Sequence, residues 1–326
     1  EYEEAERQAQ GVFGIYSLNR DRFGLARALY VLGRVHRRQG DYERARQEML
    51  QALEEAEAVT DRPREFLFGL IMFNLGVIHY FLGNLARAEE ELLAAIRALE
   101  EERGRYYGNA LNFYGTLLIG KGLYEEAARV IQSAYECLSE SAFFDDLAHA
   151  TNNLAYACLR MGQFERASRL LHESLELRRR SKDIAGESAT LELFGRLRFE
   201  QGQLGEAEQI LRQAIELAEL GKNPHEKAVA LITLGRVLMA QGALDESQRA
   251  LEEALDLAMQ LKNKSLQAES HAYLAELWVH RGNGMQALEH LRRTKAFING
   301  HRDAYLRAQI ERIERLVQQH LSLIHI

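Results

Sequence analysis

The sequence predicts an all-α chain built as a stack of antiparallel helix pairs. Three observations carry this: a recurring glycine, helical spacing of apolar residues on both sides of it, and a near absence of proline. Gly40, Gly83, Gly122, Gly162, Gly202, Gly242 and Gly282 follow one another at intervals of 43, 39, 40, 40, 40 and 40 residues. Only 2 prolines occur in 326 residues, which favours long helices over turn-rich β architecture.

The repeating unit has a physical reading. Seven residues before each glycine stands a small residue: Gly33, Gly76, Gly115, Ala155, Gly195, Gly235 and Ala275. Five residues after it comes Ala45, Ala88, Ala127, Ala167, Ala207, Ser247 or Ala287, and four further on Met49, Leu92, Ile131, Leu171, Leu211, Leu251 or Leu291. Leu29, Leu32, Gly33 and His36 keep the i, i+3, i+4, i+7 spacing of one helix face, and Ala45, Met49 and Ala52 keep it in the next segment. The intervening glycine accepts the left-handed conformation that ends a helix and reverses the chain. The small residues let two helices approach closely, and neither helix buries its apolar stripe without stacking on its neighbours.

The elements follow in order. Tyr2 and Ala5 lie 40 residues before Tyr42 and Ala45, so residues 1–20 are expected to form the second helix of a truncated repeat. Seven helix pairs fill residues 21–300, and a capping or coupling helix is expected over 301–320, where Leu306, Ile310, Ile313 and Val317 keep 4-3-4 spacing. The tail "LSLIHI" (321–326) lacks charge and cap and resembles the translation of a sequencing adapter, so it is expected to be non-native. With no initiating Met and an unpaired first helix, the chain is expected to be a fragment.

The segments "LGRVHRRQGDYERARQEMLQA" (Leu32 to Ala52) and "LGRVLMAQGALDESQRALEEA" (Leu234 to Ala254) resemble the tetratricopeptide repeat. The likeness covers nearly the whole chain. It departs from the family in lacking the proline between repeats and in a period of about 40 rather than 34 residues. The longer unit resembles the subclass of kinesin-light-chain-like and bacterial regulatory proteins. The seventh unit departs furthest, with Gly284 for the turn aromatic and Thr294 for the late alanine. The resemblance implies a right-handed superhelical solenoid whose concave groove binds protein or extended peptide.

Composition narrows the function. A hydrophobic fraction of 47% and a charged fraction of 27% are ordinary for a globular chain. A net charge of -7 argues against nucleic acid as a direct partner. Two cysteines, Cys137 and Cys158, build no disulfide framework and fit a reduced, cytoplasmic setting. The most apolar stretch, Phe66 to Leu82, is interrupted by Gly69, Asn74, Gly76 and His79, so it predicts a buried helix and no membrane partner.

Catalytic chemistry is not expected. The 11 histidines form no metal-ligand spacing, the glycines punctuate repeats rather than cradle phosphate, and no nucleophile–base motif occurs. Neither metal nor cofactor is therefore predicted. His36, His79 and Cys158 share one core-facing repeat position. Arg178, Arg179 and Arg180 with Lys182 end a predicted helix, where cations oppose the helix dipole.

The face left free by packing is the candidate site. Equivalent positions of the seven first helices hold seven arginines (27, 34, 37, 38, 160, 196 and 236) against four acids (192, 200, 269 and 276), opposite in sign to the chain's average. The ligand-groove candidates are Tyr30, Arg34, Arg37, Asn74, Asn112, Asn152, Asn153, Tyr156, Arg196 and Arg236. Asparagine is a poor helix former, and its amide suits an extended peptide backbone. Phe73, Phe113 and Tyr273 add aromatic area. The expected function is the peptide- or protein-binding sensor module of a bacterial regulatory protein, with an acidic peptide as the favoured occupant. A free-standing adaptor or co-chaperone scaffold, or the interaction domain of a kinase or cyclase whose catalytic part lies elsewhere, are the alternatives. The oligomeric state is left open.

Overall fold

A computed structural model describes residues 2–58, 63–140, 143–298 and 304–324, with side chains described within 3–58, 65–140, 143–297 and 304–319. Sixteen α-helices and no strand occur among them. These are α1 (Tyr2–Asn19), α2 (Arg22–Gln39), α3 (Tyr42–Glu57), α4 (Pro63–Phe81), α5 (Leu85–Leu99), α6 (Arg105–Gly120), α7 (Tyr124–Ser139) and α8 (Phe144–Arg160). They continue as α9 (Phe164–Ser181), α10 (Ile184–Glu200), α11 (Leu204–Leu220), α12 (Pro224–Ala240), α13 (Leu244–Gln260), α14 (Lys264–His280), α15 (Gly284–Ile298) and α16 (Ala304–Ile324). No helix among the described residues is long and apolar enough to cross a membrane.

The chain forms two compact units. Unit 1 holds residues 1–117 and 129–143, and unit 2 holds 118–128 and 144–326. In unit 1, α2 pairs with α3 and α4 with α5, and α1 lies against α2. In unit 2, α8 pairs with α9, α10 with α11, α12 with α13 and α14 with α15, and α16 packs on α14 and α15.

All seven turn glycines have φ between 73° and 82°, the left-handed region. Gly202 shows the geometry: its N–H donates to the Phe199 carbonyl at 2.9 Å, and Gln203 N–H to Arg198 at 2.9 Å, closing the last turn of α10. Polar caps then start many helices. Asp183 accepts from Gly186 N–H at 2.9 Å and Asn223 from Glu226 N–H at 3.2 Å. The turns between pairs carry Lys182, Lys222 and Lys262 at φ 58°, 50° and 52°, a left-handed non-glycine every 40 residues.

Within a pair, a small residue on the first helix receives a large one from the second. A Cβ added at Gly235 would stand 2.6 Å from Leu251 Cγ, and one at Gly195 2.6 Å from Leu211 Cγ. Ala45, Ala88, Ala167, Ala207 and Ala287 are fully buried beside these contacts. Ser247, which takes the alanine position in α13, donates to the Gly235 carbonyl at 2.7 Å, so its hydroxyl is satisfied in the core.

Several polar core groups join the helices of a pair. His36 Nδ1 lies 2.6 Å from Glu48 and His79 Nδ1 2.6 Å from Glu91, each joining the two helices of its pair. The basic run ending α9 is absorbed locally: Arg178 meets Asp183 at 2.5 Å, Arg179 meets Glu187 at 2.7 Å, and Arg180 lies 4.2 Å over the Phe144 ring.

His271 on α14 faces His290 on α15, with 3.0 Å between their Nδ1 atoms. Burial, followed by the charges of His290 and Arg293, pushes the His271 pKa down to about 4. An unfolded histidine takes up a proton near pH 6.5, whereas folded His271 resists it until pH 4. Stability should therefore fall as pH drops between these values, by roughly 1.4 kcal/mol per pH unit for this one proton. Urea unfolding at successive pH values should show that slope in the native chain and a shallower one in His271→Gln.

The turn and an open position within a helix make opposite predictions for glycine. Gly202→Ala should cost about 1–2 kcal/mol, since alanine resists the left-handed region. Gly205→Ala, at an exposed site on α11 with open space around it, should be neutral or stabilise by up to about 1 kcal/mol. Equilibrium unfolding of the two variants checks the pair, and a reversal of sign would contradict the register.

Candidate functional site

Pairing buries one side of every first helix and leaves the opposite side to carry chemistry. In unit 1 that face is built by α2, α4 and α6. Tyr30 on α2 is buried, and the Arg34 guanidinium one turn on lies 5.5 Å over its ring. Burial raises the Tyr30 pKa, and the neighbouring Arg34 charge works against the rise. Arg37 is half-buried, and its pKa is lowered by burial and then by the like charges of Arg34 and Arg38. None of these three arginines forms an ion pair among the described residues.

The asparagines of unit 1 differ. Asn74 is only 2% exposed, and its amide donates to the Leu70 carbonyl of its own helix at 2.8 Å, so little of it is presented outward. Asn112 is half-buried on α6. Beside them Phe73 meets Phe113 edge-on at 6.2 Å, and Tyr80 meets Phe113 at 5.4 Å. The unit 1 face thus carries arginines without ion-pair partners on α2 and a cluster of aromatic rings on α4 and α6.

In unit 2 the face is built by α8, α10, α12 and α14. Asn152, Asn153 and Tyr156 are half-buried on α8, and the Asn152 carbonyl oxygen has no partner. Arg196 on α10 lies 5.9 Å over the Tyr156 ring and meets Glu192 at 2.8 Å. Thr233 on α12 donates to the same Glu192 oxygen at 2.5 Å. Burial is the largest single influence on Arg196 and opposes its charge, but Glu192, Tyr156, Tyr305 and Glu269 together outweigh it and the pKa rises. Arg196 is therefore held in an internal network.

Arg236 on α12 has a different setting. It is 8% exposed and lies over two rings, Phe199 at 5.1 Å and Tyr273 at 4.9 Å, and no carboxylate pairs with it. It borders a cavity of about 770 Å³, lined by Phe199, Glu200, Met239, Glu276 and His280 from the first helices and by Gln309 and Arg312 from α16.

The last helix is therefore part of this site. Leu306, Ile310, Ile313 and Val317 bury themselves in one core cluster with Leu277 and Leu291. Its polar side reaches the first helices: Arg312 grips Glu276 through two bonds of 2.7 and 2.6 Å, and Tyr305 lies 4.1 Å under Arg160. The structure describes backbone to Ile324, and the tail side chains of 321–326 lie outside the described residues.

Sequence reasoning missed Phe199, Met239, Tyr305 and Arg312. Phe199 and Met239 occupy the repeat position of Arg37, so aligning repeats could have found them. Tyr305 and Arg312 lie beyond the last pair, where no repeat position points to them. Among the described residues, no group of three or more His, Cys, Asp or Glu side chains could hold a metal ion.

The stacked pairs, the left-handed turn glycines and the small-to-large contacts define an array of tetratricopeptide repeats. Family models of that repeat match residues 26–58 and 71–98. The MalT-like TPR region model matches residues 108–325, more than half of the chain, and the chain belongs to that family. No curated protein matches the sequence. Among solved structures, the apo form of RapI is similar at 16% identity and a TM-score of 0.68, covering 88% of this chain and 99% of that one. A Rap protein complexed with Competence and Sporulation Factor shares 14% identity at a TM-score of 0.68, covering 98% and 94%. The apo quorum sensor NprR from B. thuringiensis shares 18% identity at 0.68, covering 92% and 83%. At these identities the likeness is one of fold.

The Arg196–Glu192–Thr233 network should behave as a buried pair. Glu192→Ala should destabilise the chain by about 3 kcal/mol, because it strands a buried guanidinium. Arg179→Ala, whose pair is exposed on the arginine side, should cost under about 1 kcal/mol. Urea unfolding of both variants compares the two, and equal costs would contradict the network.

Proposed function

We propose that this chain is the peptide- or protein-binding sensor module of a bacterial regulatory or signalling protein, acting in the cytoplasm and without catalysis of its own. Arg34, Arg37 and Arg38 carry the reading. They put positive charge with no ion-pair partner on α2, in the same unit as the rings of Phe73, Tyr80 and Phe113, on a chain whose net charge is -7. Charge of that sign on a face that also carries aromatic rings fits an acidic, extended peptide, whose carboxylates take the guanidinium donors while its apolar side chains cover the rings. Tyr30 and Asn112 belong to this reading on unit 1, and Asn152, Asn153, Tyr156, Arg196 and Arg236 are its candidates on unit 2. Asn74, turned inward to the Leu70 carbonyl, supports that face from within rather than meeting the peptide.

Membership of the MalT-like TPR region family supports a regulatory setting. So do the two fold neighbours described as a Rap protein bound to Competence and Sporulation Factor and as a quorum sensor.

The test is fluorescence anisotropy with labelled acidic and basic peptides of equal length. The acidic peptide should bind, and its affinity should fall as salt rises. The triple change Arg34→Glu, Arg37→Glu, Arg38→Glu should weaken it at least about 100-fold, on the scale of two lost charge-assisted contacts. Undiminished binding by that variant, in a chain that melts normally, would sink the reading.

A further inference from the structure

The helix α16 carries two stripes, and only one of them caps the last pair. Leu306, Ile310, Ile313 and Val317 are buried in the apolar cluster that also holds Leu277 and Leu291. Tyr305, Gln309 and Arg312 stand at i, i+4 and i+7, beside that stripe, and share a second line along the helix. A helix that only closed the open side of α14 and α15 would turn this second line to water. Here it faces the first helices of unit 2.

Its contacts fall on the positions from which the candidate face is built. Arg160 on α8 lies 4.1 Å over the Tyr305 ring, and Tyr305 is 8% exposed. Ala304 stands against the turn after α6, which belongs to unit 2: a Cβ added at Gly122 would come within 3.1 Å of the Ala304 Cβ. At the other end Arg312 donates to both Glu276 carboxylate oxygens, at 2.7 and 2.6 Å. Glu276 holds in α14 the repeat position that Arg196 and Arg236 hold in α10 and α12. Between these contacts, Gln309 and Arg312 line the same cavity of about 770 Å³ as Phe199, Arg236 and Met239. One helix therefore spans the face, with a cation of that face over its aromatic ring and an acid of that face on its guanidinium. Such pairings are those by which a helix from outside would be recognised.

We propose that the first-helix face of unit 2 is a groove for an amphipathic helix of this pattern, a Tyr and an Arg seven residues apart beside an apolar stripe, and that α16 is its built-in occupant. The face is closed to partners until a helix making the same contacts displaces α16. Occupation by α16 lowers the apparent affinity of an outside helix by the fraction of chains whose groove is open. The inference rests on reading the unit 2 face as a binding surface and names the occupant of that face; the arginines of α2 play no part in it.

The test is fluorescence anisotropy of the full chain with a labelled peptide copying residues 304–319. The native chain should bind it weakly. Tyr305→Ala with Arg312→Ala, which keeps the apolar stripe and so the cap, should bind it more tightly. Adding Ile310→Ala should bring the affinity to at least about 10-fold above native, the scale of one charge-assisted contact released. A peptide that itself carries Tyr305→Ala and Arg312→Ala should lose this gain. A charge swap separates recognition from loosened packing: Glu276→Arg in the released chain should reject the native peptide and accept one carrying Arg312→Glu. Equal binding by the native, double and triple variants would overturn the proposal, and so would equal binding of the peptides with and without their Tyr and Arg. Preference of the released chain for an extended acidic peptide over the helix would overturn the assigned occupant. Because Arg34, Arg37 and Arg38 are untouched throughout, failure here is distinct from failure of peptide binding on unit 1.

Discussion

Close approach of the two helices in each pair is the constraint from which the rest follows. Gly235 leaves room for Leu251, and Gly195 for Leu211, at distances that no Cβ could share. With the backbones this near, the stripe containing Leu234 and Val237 must face inward, and a first helix has only one remaining side on which to place polar groups. The turn glycine completes the constraint. A left-handed residue after the first helix returns the chain at once, and the second helix begins in register with the small residue it must cover.

That geometry explains why similar arginines behave differently. Arg34, Arg196 and Arg236 occupy one repeat position, yet their surroundings depend on neighbours one turn away or one helix away. Glu192 precedes Arg196 by four residues and neutralises it. The position four before Arg236 is Ile232, so Arg236 takes aromatic faces from α10 and α14 instead. Tyr30 precedes Arg34 and supplies a ring but no charge. The repeat sets where the guanidinium stands, and the residue one turn back sets what it can do.

Much of this was legible in the sequence because it is periodic. Glycine spacing, the small residue seven places earlier and the alanine five places later are local consequences of packing, and packing repeats. The partner of His36 was not legible, since Glu48 lies 12 residues on across the turn. The burial of Asn74 was missed for a related reason: it sits at the edge of the stripe, and α4 turns it inward to its own Leu70 carbonyl. The left-handed lysines at 182, 222 and 262 share a 40-residue period. Lysine, unlike glycine, carries no preference for that conformation, so its presence in a sequence does not mark it.

The polar contacts of the last helix were not legible for a deeper reason. It has no partner helix after it, and its apolar residues keep 4-3-4 spacing rather than the repeat's own pattern, so no repeat position predicts its neighbours. Its stripe of Leu306, Ile310, Ile313 and Val317 does what any capping helix must, covering the open side of the final pair. Its other residues go further. Arg312 neutralises Glu276, and Tyr305 lies under Arg160, both on first helices of unit 2. An apolar anchor is insensitive to what lies in the cavity, but the Arg312–Glu276 contact borders it. A helix held by both kinds of contact is fixed by the core at its stripe and is responsive at its polar side, which is the arrangement needed for a binding face to affect the position of a helix at its border.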